Sequence, residues 1–418
     1  MLVFKFGGAS VKDADGIVNL ASVVKRFEGE QLVIVVSAMG KTTNALEKLT
    51  KAYIDGDDTV HDIFENVKKY HYTILEQLFE RSHPVFDEVA NTFVEIDWII
   101  EDEPHDDYDF TYDQIVSIGE LVATRIVNAY LNKAGIKSRW LDVRGYIHTD
   151  NTYREGIVQW DKTRFVINRD IPGLLQNSIV VTQGFLGGTS ENFTTTLGRE
   201  GSDYTASIFA ACLGAESVTT WKDVPGILNA DPKFFEDTVK FDELSYNEAI
   251  EMTFYGASVI HPKTIKPLQN AKIPLMVKSF TDPEAPGTVI KDNAVNQFLK
   301  PIIILKQNQV LLSVSAKDYS FISENHLSEI FGFFSKCHVK VNMMQTSALS
   351  FTVCIDLYEE RFKKLLQALS HDFKVKYNDG LSLITMRHYT PSSLSALAAD
   401  KTVLLEQVSR NTVQIVVK

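Results

Sequence analysis

The chain has 418 residues, enough for two or three domains, and its 44% hydrophobic and 23% charged residues are the balance of an ordinary soluble globular protein. A net charge of −12 argues against a general nucleic-acid surface. No stretch approaches the ~18 consecutive apolar residues of a membrane span; the longest clear run is Leu32-Val33-Ile34-Val35-Val36. The N-terminus lacks a basic region followed by a long apolar stretch, so no signal peptide is expected. Cys212, Cys337 and Cys354 are odd in number and widely spaced, which predicts reduced thiols and a cytoplasmic protein.

In chain order, residues 1 to about 295 alternate apolar strands with helical patterns, the signature of an α/β domain with a largely parallel sheet. The strands predicted are Leu2–Phe6, Leu32–Ser37, Ile179–Gln183, Ser217–Trp221 and Leu275–Ser279, with a mostly helical region from Thr42 to Asn132. Within that region the acidic run Glu101–Asp107 reads as a solvated loop rather than a metal site. Polar, Pro/Gly-marked residues from Pro283 to Phe298 read as a linker. The tail then runs strand (Ile302–Ser315), helix (Ser323–Cys337), strand (Val339–Thr346), strand (Ser350–Leu357), helix (Glu359–His371). That is a split βαβ pattern. Short strands follow at Lys374–Tyr377, Leu381–Arg387, Val403–Glu406 and Val413–Val417.

Two regions carry chemistry. Lys5 sits inside a short buried strand, where a charge is costly unless it is used. Gly7-Gly8 follow at once, and glycines after a strand let backbone N–H groups approach an anion. The second region is Gln183–Gly188 followed by Thr194–Ala206, in which Ser202 or Asp203 can cap a helix running to Leu213. A helix N-terminus, Arg199 and a carboxylate at one point are what phosphoryl transfer needs. Gly40-Lys41-Thr42 imitates the end of a P-loop, but Val35 stands where the loop's first glycine belongs. There is no G-x-G-x-x-G, no H-E-x-x-H and no paired CxxC, so neither a dinucleotide site nor a zinc site is expected.

Taken together, Lys5-Phe6-Gly7-Gly8-Ala9-Ser10, Ser117-Ile118-Gly119-Glu120, Leu197–Ala206, Asp223-Val224-Pro225-Gly226-Ile227 and Tyr255-Gly256-Ala257 with Ile260-His261-Pro262 resemble the aspartate kinases of the amino acid kinase family. The resemblance implies a mainly parallel sheet between helices (residues 1–295), followed by α+β ACT-like, ferredoxin-like regulatory modules. These are expected at 300–371 and, shortened at its C-terminal end, at 372–418. With no dehydrogenase following, the form resembled is the monofunctional one. The implied reaction is ATP-dependent phosphorylation of the aspartate side chain, the first step towards lysine, threonine and methionine. Lys5 and Asp203 are implied as catalytic, and Thr43, Glu120, Arg199 and Ser202 as substrate-binding. Arg199 would fork onto the α-carboxylate and Glu120 would pair with the α-ammonium. Lys5, Phe6, Gly7, Gly8, Ser10, Lys222, Asp223, Leu228, Lys233 and Ser258 fall on the nucleotide side. Magnesium would arrive with ATP, needing no dedicated protein site. Asn342, Thr346 and Ser347 fall at the usual effector strand, and a homodimer joined after Lys300 is expected.

Several residues depart from the family pattern: Glu200 for a frequent glycine, Lys222 for threonine, Leu228 for an aromatic, Lys233 for arginine and Ser258 for lysine. The first effector-site helix opens without its usual glycine, in Ser320–Leu327, and Asn342 replaces an aspartate. The alternatives are a kinase of another carboxylate, such as glutamate or N-acetylglutamate, and a catalytically degenerate amino-acid-binding regulator.

Overall fold

The computed structural model describes residues 1–257, 260–294, 300–318 and 320–418. They form two compact units. The first comprises Met1–Ile227, Lys240–Ile250 and the described residues of 259–296; the second comprises Leu228–Val239 and the described residues of 251–258 and 297–418. No described helix is long and apolar enough to cross a membrane.

The first unit is built on ten strands: β1 (Leu2–Phe6), β2 (Leu32–Val36), β3 (Ser138–Leu141), β4 (Ile179–Gln183), β5 (Leu186–Gly188), β6 (Thr194–Thr196), β7 (Ser217–Lys222), β8 (Glu243–Ser245), β9 (Leu275–Ser279) and β10 (Thr288–Lys291). Eight of them make one sheet in the order β3-β4-β2-β1-β7-β9-β10-β8, and β5 pairs with β6 as a separate hairpin. Pairing is parallel throughout except between β9 and β10. All five residues of β2 are buried, as expected of a strand covered on both faces. Phe4, Phe6, Phe27, Trp221 and Phe280 pack edge-on or stacked where β1 meets β7. Because β1 lies between β2 and β7, the strand order reverses there, leaving a crevice at the strands' C-terminal ends. Lys5 is the penultimate residue of β1, at that crevice.

The second unit holds a six-stranded antiparallel sheet of β11 (Ile302–Ala316), β12 (Val341–Thr346), β13 (Phe351–Asp356), β14 (Phe373–Arg387), β15 (Val403–Val408) and β16 (Thr412–Val417), in the order β12-β13-β11-β14-β16-β15. The segments Lys374–Tyr377 and Leu381–Arg387, expected as separate strands, are one long strand pairing with β11 from Phe373 to Arg387. Asn378-Asp379-Gly380 reads locally as a turn, yet it forms a bulge. Gly380 (φ 65°) faces the part of β11 where Asn308 is also left-handed (φ 55°) and the register shifts. Half of the sheet, with helices Glu324–Lys336 and Glu359–Asp372, is a complete βαββαβ module around Val310, Leu312, Val314, Ile330, Phe334, Phe351 and Leu365. The other half has the same strand order but one helix, Pro391–Ala398, against Ile384, Met386, Val413 and Ile415. Its fourth strand position is filled by the start of β11.

Candidate active site

Lys5 and Asp203 anchor the site. Lys5 Nζ lies 3.0 Å from Asp203 Oδ2, with side chains 9% and 6% exposed. Thr220 on β7 donates to Asp203 Oδ1 at 3.2 Å, so both carboxylate oxygens are engaged. Burial by itself would raise the Asp203 pKa; Lys5, then Lys222 and the hydrogen bonds, overcome it and hold the group below the ordinary carboxylate range. A buried lysine paired with one carboxylate, at a strand end that opens on a crevice, suits a phosphoryl group gathering negative charge.

The backbone around this pair is set by close approaches. A Cβ at Gly8 would lie 2.6 Å from the Ala38 carbonyl oxygen, and Gly40 donates its N–H to the Gly8 carbonyl at 2.9 Å. Only glycine lets the loop after β2 cross there. A Cβ at Gly184 would meet Ser202 Cβ at 2.4 Å, so the loop after β4 lies directly on the helix Gly201–Leu213, which carries Asp203. Gly201, Ser202 and Asp203 follow the left-handed Glu200, and this first turn of the helix lines the pocket.

A cavity of about 840 Å³ brings together Lys5, Thr43, Glu120, Arg199, Ser202 and Asp203. These are all the residues expected to be catalytic or substrate-binding. A larger groove of about 980 Å³, floored by Trp160 and Tyr204, holds none of them. Glu120, in the first turn of the helix Ile118–Lys133, is 2% exposed. Its Oε1 accepts the Ala38 N–H at 3.3 Å, while Oε2 is buried without a partner. Burial pushes the Glu120 pKa up to about 8, the hydrogen bond to Ala38 opposing only in part. A carboxylate left half-satisfied in this way calls for a cation. Arg199 is exposed at the rim and has no ion-pair partner among the described residues.

The nucleotide-side residues are more scattered. Phe6 and Ser10 turn inward: the Phe6 ring is in the aromatic core, and the Ser10 hydroxyl donates to the Trp221 carbonyl at 3.3 Å. Lys222 ends β7, and Asp223 follows it, exposed. Leu228 and Lys233 belong to the second unit, and Ser258 lies outside the described residues. The residues expected at the effector strand are on β12 and just after it. Both ends of the Asn342 amide are engaged, the oxygen accepting from Lys306 at 2.8 Å and the nitrogen donating to Gln309 at 2.9 Å. Thr346 is exposed, and the Ser347 hydroxyl is shared with Ser350.

Sequence reasoning missed further residues of the same cavity: Asp109, Tyr112, Arg154 and Phe185 line it, and Asp113 supports Arg154 and Thr196 from behind. Asp113 is fully buried and accepts from the Arg154 N–H (2.8 Å), the Thr196 N–H (2.8 Å) and the Thr196 hydroxyl (2.7 Å). Burial still raises its pKa, to about 6. Arg154 lies with its guanidinium 4.3 Å from the Tyr112 ring and 3.3 Å from Asp109. Three non-glycine residues lining the cavity are left-handed, namely Arg154 (φ 64°), Phe185 (φ 72°) and Glu200 (φ 55°). Such backbone outliers collect at functional sites, where surrounding contacts hold them. The one available signal was the cluster of turn-forming residues Asp150-Asn151-Thr152 ahead of Arg154.

Residues 1–279 match the amino acid kinase family. The lysine-sensitive aspartokinase 3 of Escherichia coli (strain K12) is 30% identical over 393 residues, covering 92% of this chain and 86% of that protein. Chloroplastic aspartokinase 2 of Arabidopsis thaliana is 32% identical over 391 residues, covering 88% and 68%. Among solved structures, E. coli aspartokinase III in complex with lysine and aspartate superposes with a TM-score of 0.84 at 28% identity, covering 100% of this chain and 95% of that one. The aspartate- and ADP-bound form of the same enzyme gives 0.82 at 27% identity, covering 100% and 96%. With the charged pocket at the switch point of a mainly parallel sheet and an antiparallel ACT-like sheet after it, the chain belongs to the amino acid kinase family and, within it, to the aspartokinases.

Proposed function

We infer that this protein is an aspartate kinase, transferring the γ-phosphoryl group of ATP to the side-chain carboxylate of L-aspartate to give 4-phospho-L-aspartate and ADP. The observation that carries the reading is the single cavity that holds a buried Lys5–Asp203 pair and a buried, half-satisfied Glu120. Glu120 takes the α-ammonium, and Arg199 forks onto the α-carboxylate with a planar geometry that lysine cannot imitate. This leaves the β-carboxylate directed at Lys5. It is already ionised at neutral pH, so no general base is needed. One of its oxygens bonds to the γ-phosphorus as the bond to the β,γ-bridging oxygen breaks, and ADP departs with that electron pair. Lys5 neutralises charge on the transferring group, and Asp203 keeps Lys5 in place through contacts already made before substrate arrives. Magnesium would arrive with the nucleotide and neutralise phosphate charge, while Asp203 makes its contacts to Lys5 and Thr220.

ADP release measured with aspartate, glutamate and N-acetylglutamate tests the assignment. Release that depends on aspartate alone is expected; release with another acid, or with none, would overturn it.

The organisation proposed is a catalytic segment 1–295 followed by modules at 300–371 and 372–418, with Phe373–Asn378 serving as the last strand of the first module. Its pairing with Leu311–Ala316 supports that refinement. A homodimer through residues after Lys300 is supported by the two sheet edges. They carry exposed apolar side chains, Met344 on β12 and Val403, Leu404 and Val408 on β15. A monomer by light scattering at micromolar concentration would overturn it.

A further inference from the structure

Glu200 has a backbone that does not suit its side chain. It stands at the N-cap of the Gly201–Leu213 helix with φ 55° and ψ 29°, a region that glycine enters freely and other residues enter at a cost. No side-chain cap is made there; the carboxylate goes elsewhere. Its Oε2 accepts a hydrogen bond from the backbone N–H of His261 at 2.8 Å, across 61 residues of sequence. His261 is itself the N-cap of the helix Pro262–Ala271, with Nδ1 accepting the Lys263 N–H at 3.2 Å. Meanwhile the Glu200 carbonyl accepts the N–H groups of Asp203 (3.0 Å) and Tyr204 (3.2 Å), opening the helix that bears the partner of Lys5. One side chain therefore joins two helix N-termini, and it lies between Arg199 on one side and Ser202-Asp203 on the other.

We propose that Glu200 is a positioning residue, whose carboxylate tether to the His261 amide fixes the Arg199–Asp203 turn and so presets Arg199 for the amino-acid substrate. A glycine would adopt the same backbone without strain but leave the turn untied. Glutamate accepts the strain and supplies a charge-assisted bond near the positive end of the second helix. The proposal rests on the reading of Arg199 as the clamp for the aspartate α-carboxylate.

Three variants separate the tether from the backbone. Glu200→Gln keeps a carbonyl oxygen for the His261 N–H and should hold the KM for aspartate within about threefold of wild type. Glu200→Ala and Glu200→Gly lose the acceptor and should raise that KM by roughly five- to twentyfold, with kcat and the KM for ATP within about threefold. Glu200→Gly is decisive, because glycine relieves the backbone and should keep Tm at or above the wild-type value while the aspartate KM still rises. A wild-type aspartate KM in Glu200→Gly would overturn the tether, as would a loss confined to kcat or to ATP. Arg199→Lys, measured alongside, distinguishes the two levels. If it leaves the aspartate KM unchanged, the reading of Arg199 fails; if only the Glu200 series is silent, the tether alone fails.

Discussion

The two substrate ends of this enzyme are built differently. Every residue assigned to aspartate and to the transferring phosphoryl lies in one packing unit and lines one cavity. Of the residues expected on the nucleotide side, Lys5, Phe6, Gly7, Gly8, Ser10, Lys222 and Asp223 share that unit, whereas Leu228 and Lys233 sit in Leu228–Val239, which packs with the C-terminal sheet. Asn229 shows how. Its carbonyl accepts the Ile303 N–H at 2.7 Å, its Nδ2 donates to the Pro301 carbonyl at 2.9 Å, and its Oδ1 accepts the Val239 N–H at 2.7 Å. Nearby in the same unit, a Cβ at Gly256 would lie 2.4 Å from Lys306 Cε, and Arg387 pairs with Glu251 at 2.8 Å. Continuity along the chain and membership of a packing unit are thus different things. The residues expected to meet aspartate lie within one unit, whereas one loop expected on the nucleotide side, Leu228–Val239, is held by strands of the C-terminal sheet.

If that contrast is right, damage at the aspartate end should act on chemistry and on aspartate, and damage at Asn229 should act on ATP. The largest effect is expected from Lys5→Ala: a fall in kcat of roughly a hundredfold or more, the scale for losing one preorganised charge donor. Lys5→Arg should not restore it, because the planar fork has a different reach. Near wild-type turnover in Lys5→Ala would remove Lys5 from the mechanism. Next, Arg199→Lys should raise the KM for aspartate by about tenfold or more, the value of a bidentate charge-assisted pair, with ATP binding nearly intact. A loss falling on ATP instead would place Arg199 in the other half of the site. Asn229→Ala strips partners from a part-buried N–H and a part-buried carbonyl, a local cost of about 0.5–1.5 kcal/mol. Steady-state kinetics should show a KM for ATP raised about three- to tenfold and an aspartate KM within about twofold. Equal shifts in both would erase the distinction between the two ends.

The smallest effect concerns the regulatory sheet. The Asn342 amide, standing where an aspartate would meet an effector's ammonium, is already occupied by the chain's own Lys306 and Gln309. Added lysine should therefore inhibit weakly or not at all up to ~10 mM, a range spanning typical amino-acid effector affinities. Half-inhibition well below ~1 mM would show that a working lysine site forms despite these contacts.

How much of this was legible beforehand follows from what each residue contacts. Leu2–Phe6, Leu32–Val36 and Ile179–Gln183 are central parallel strands, and burial on both faces leaves an apolar run that needs no context. Ser138–Leu141 escaped because it is the sheet's edge, with one buried residue in four. The hairpin of Leu186–Gly188 and Thr194–Thr196 is only three residues per strand, too short for a period to register. The same logic divides the site. Lys5 was readable as a charge inside an apolar strand, and Arg199 and Asp203 as a cation and a carboxylate at a helix start, while Glu120 was reached only through the family resemblance. Asp113 and Arg154 were not readable, since Asp113 acts through a backbone N–H 41 positions away, a bond that any residue type at 154 other than proline could make. On the regulatory side, Asn378-Asp379-Gly380 has turn composition, and only its pairing with β11 shows that it bulges rather than reverses.

The central claim is that Glu120, buried and half-satisfied, waits for the aspartate ammonium. With a pKa of about 8 in the free protein, it is mostly protonated at pH 7. Pairing with a cation lowers that value, so aspartate binding must expel the proton, and affinity should rise as pH climbs from 6 through 8. Calorimetric titration of aspartate at pH 7 in buffers of different ionisation enthalpy measures the proton directly. The account predicts net proton release on binding by the wild type at pH 7 and none in Glu120→Gln, with aspartate bound at least tenfold more weakly by that variant. Proton-neutral binding at pH 7 by the wild type, or wild-type affinity in Glu120→Gln, would contradict it.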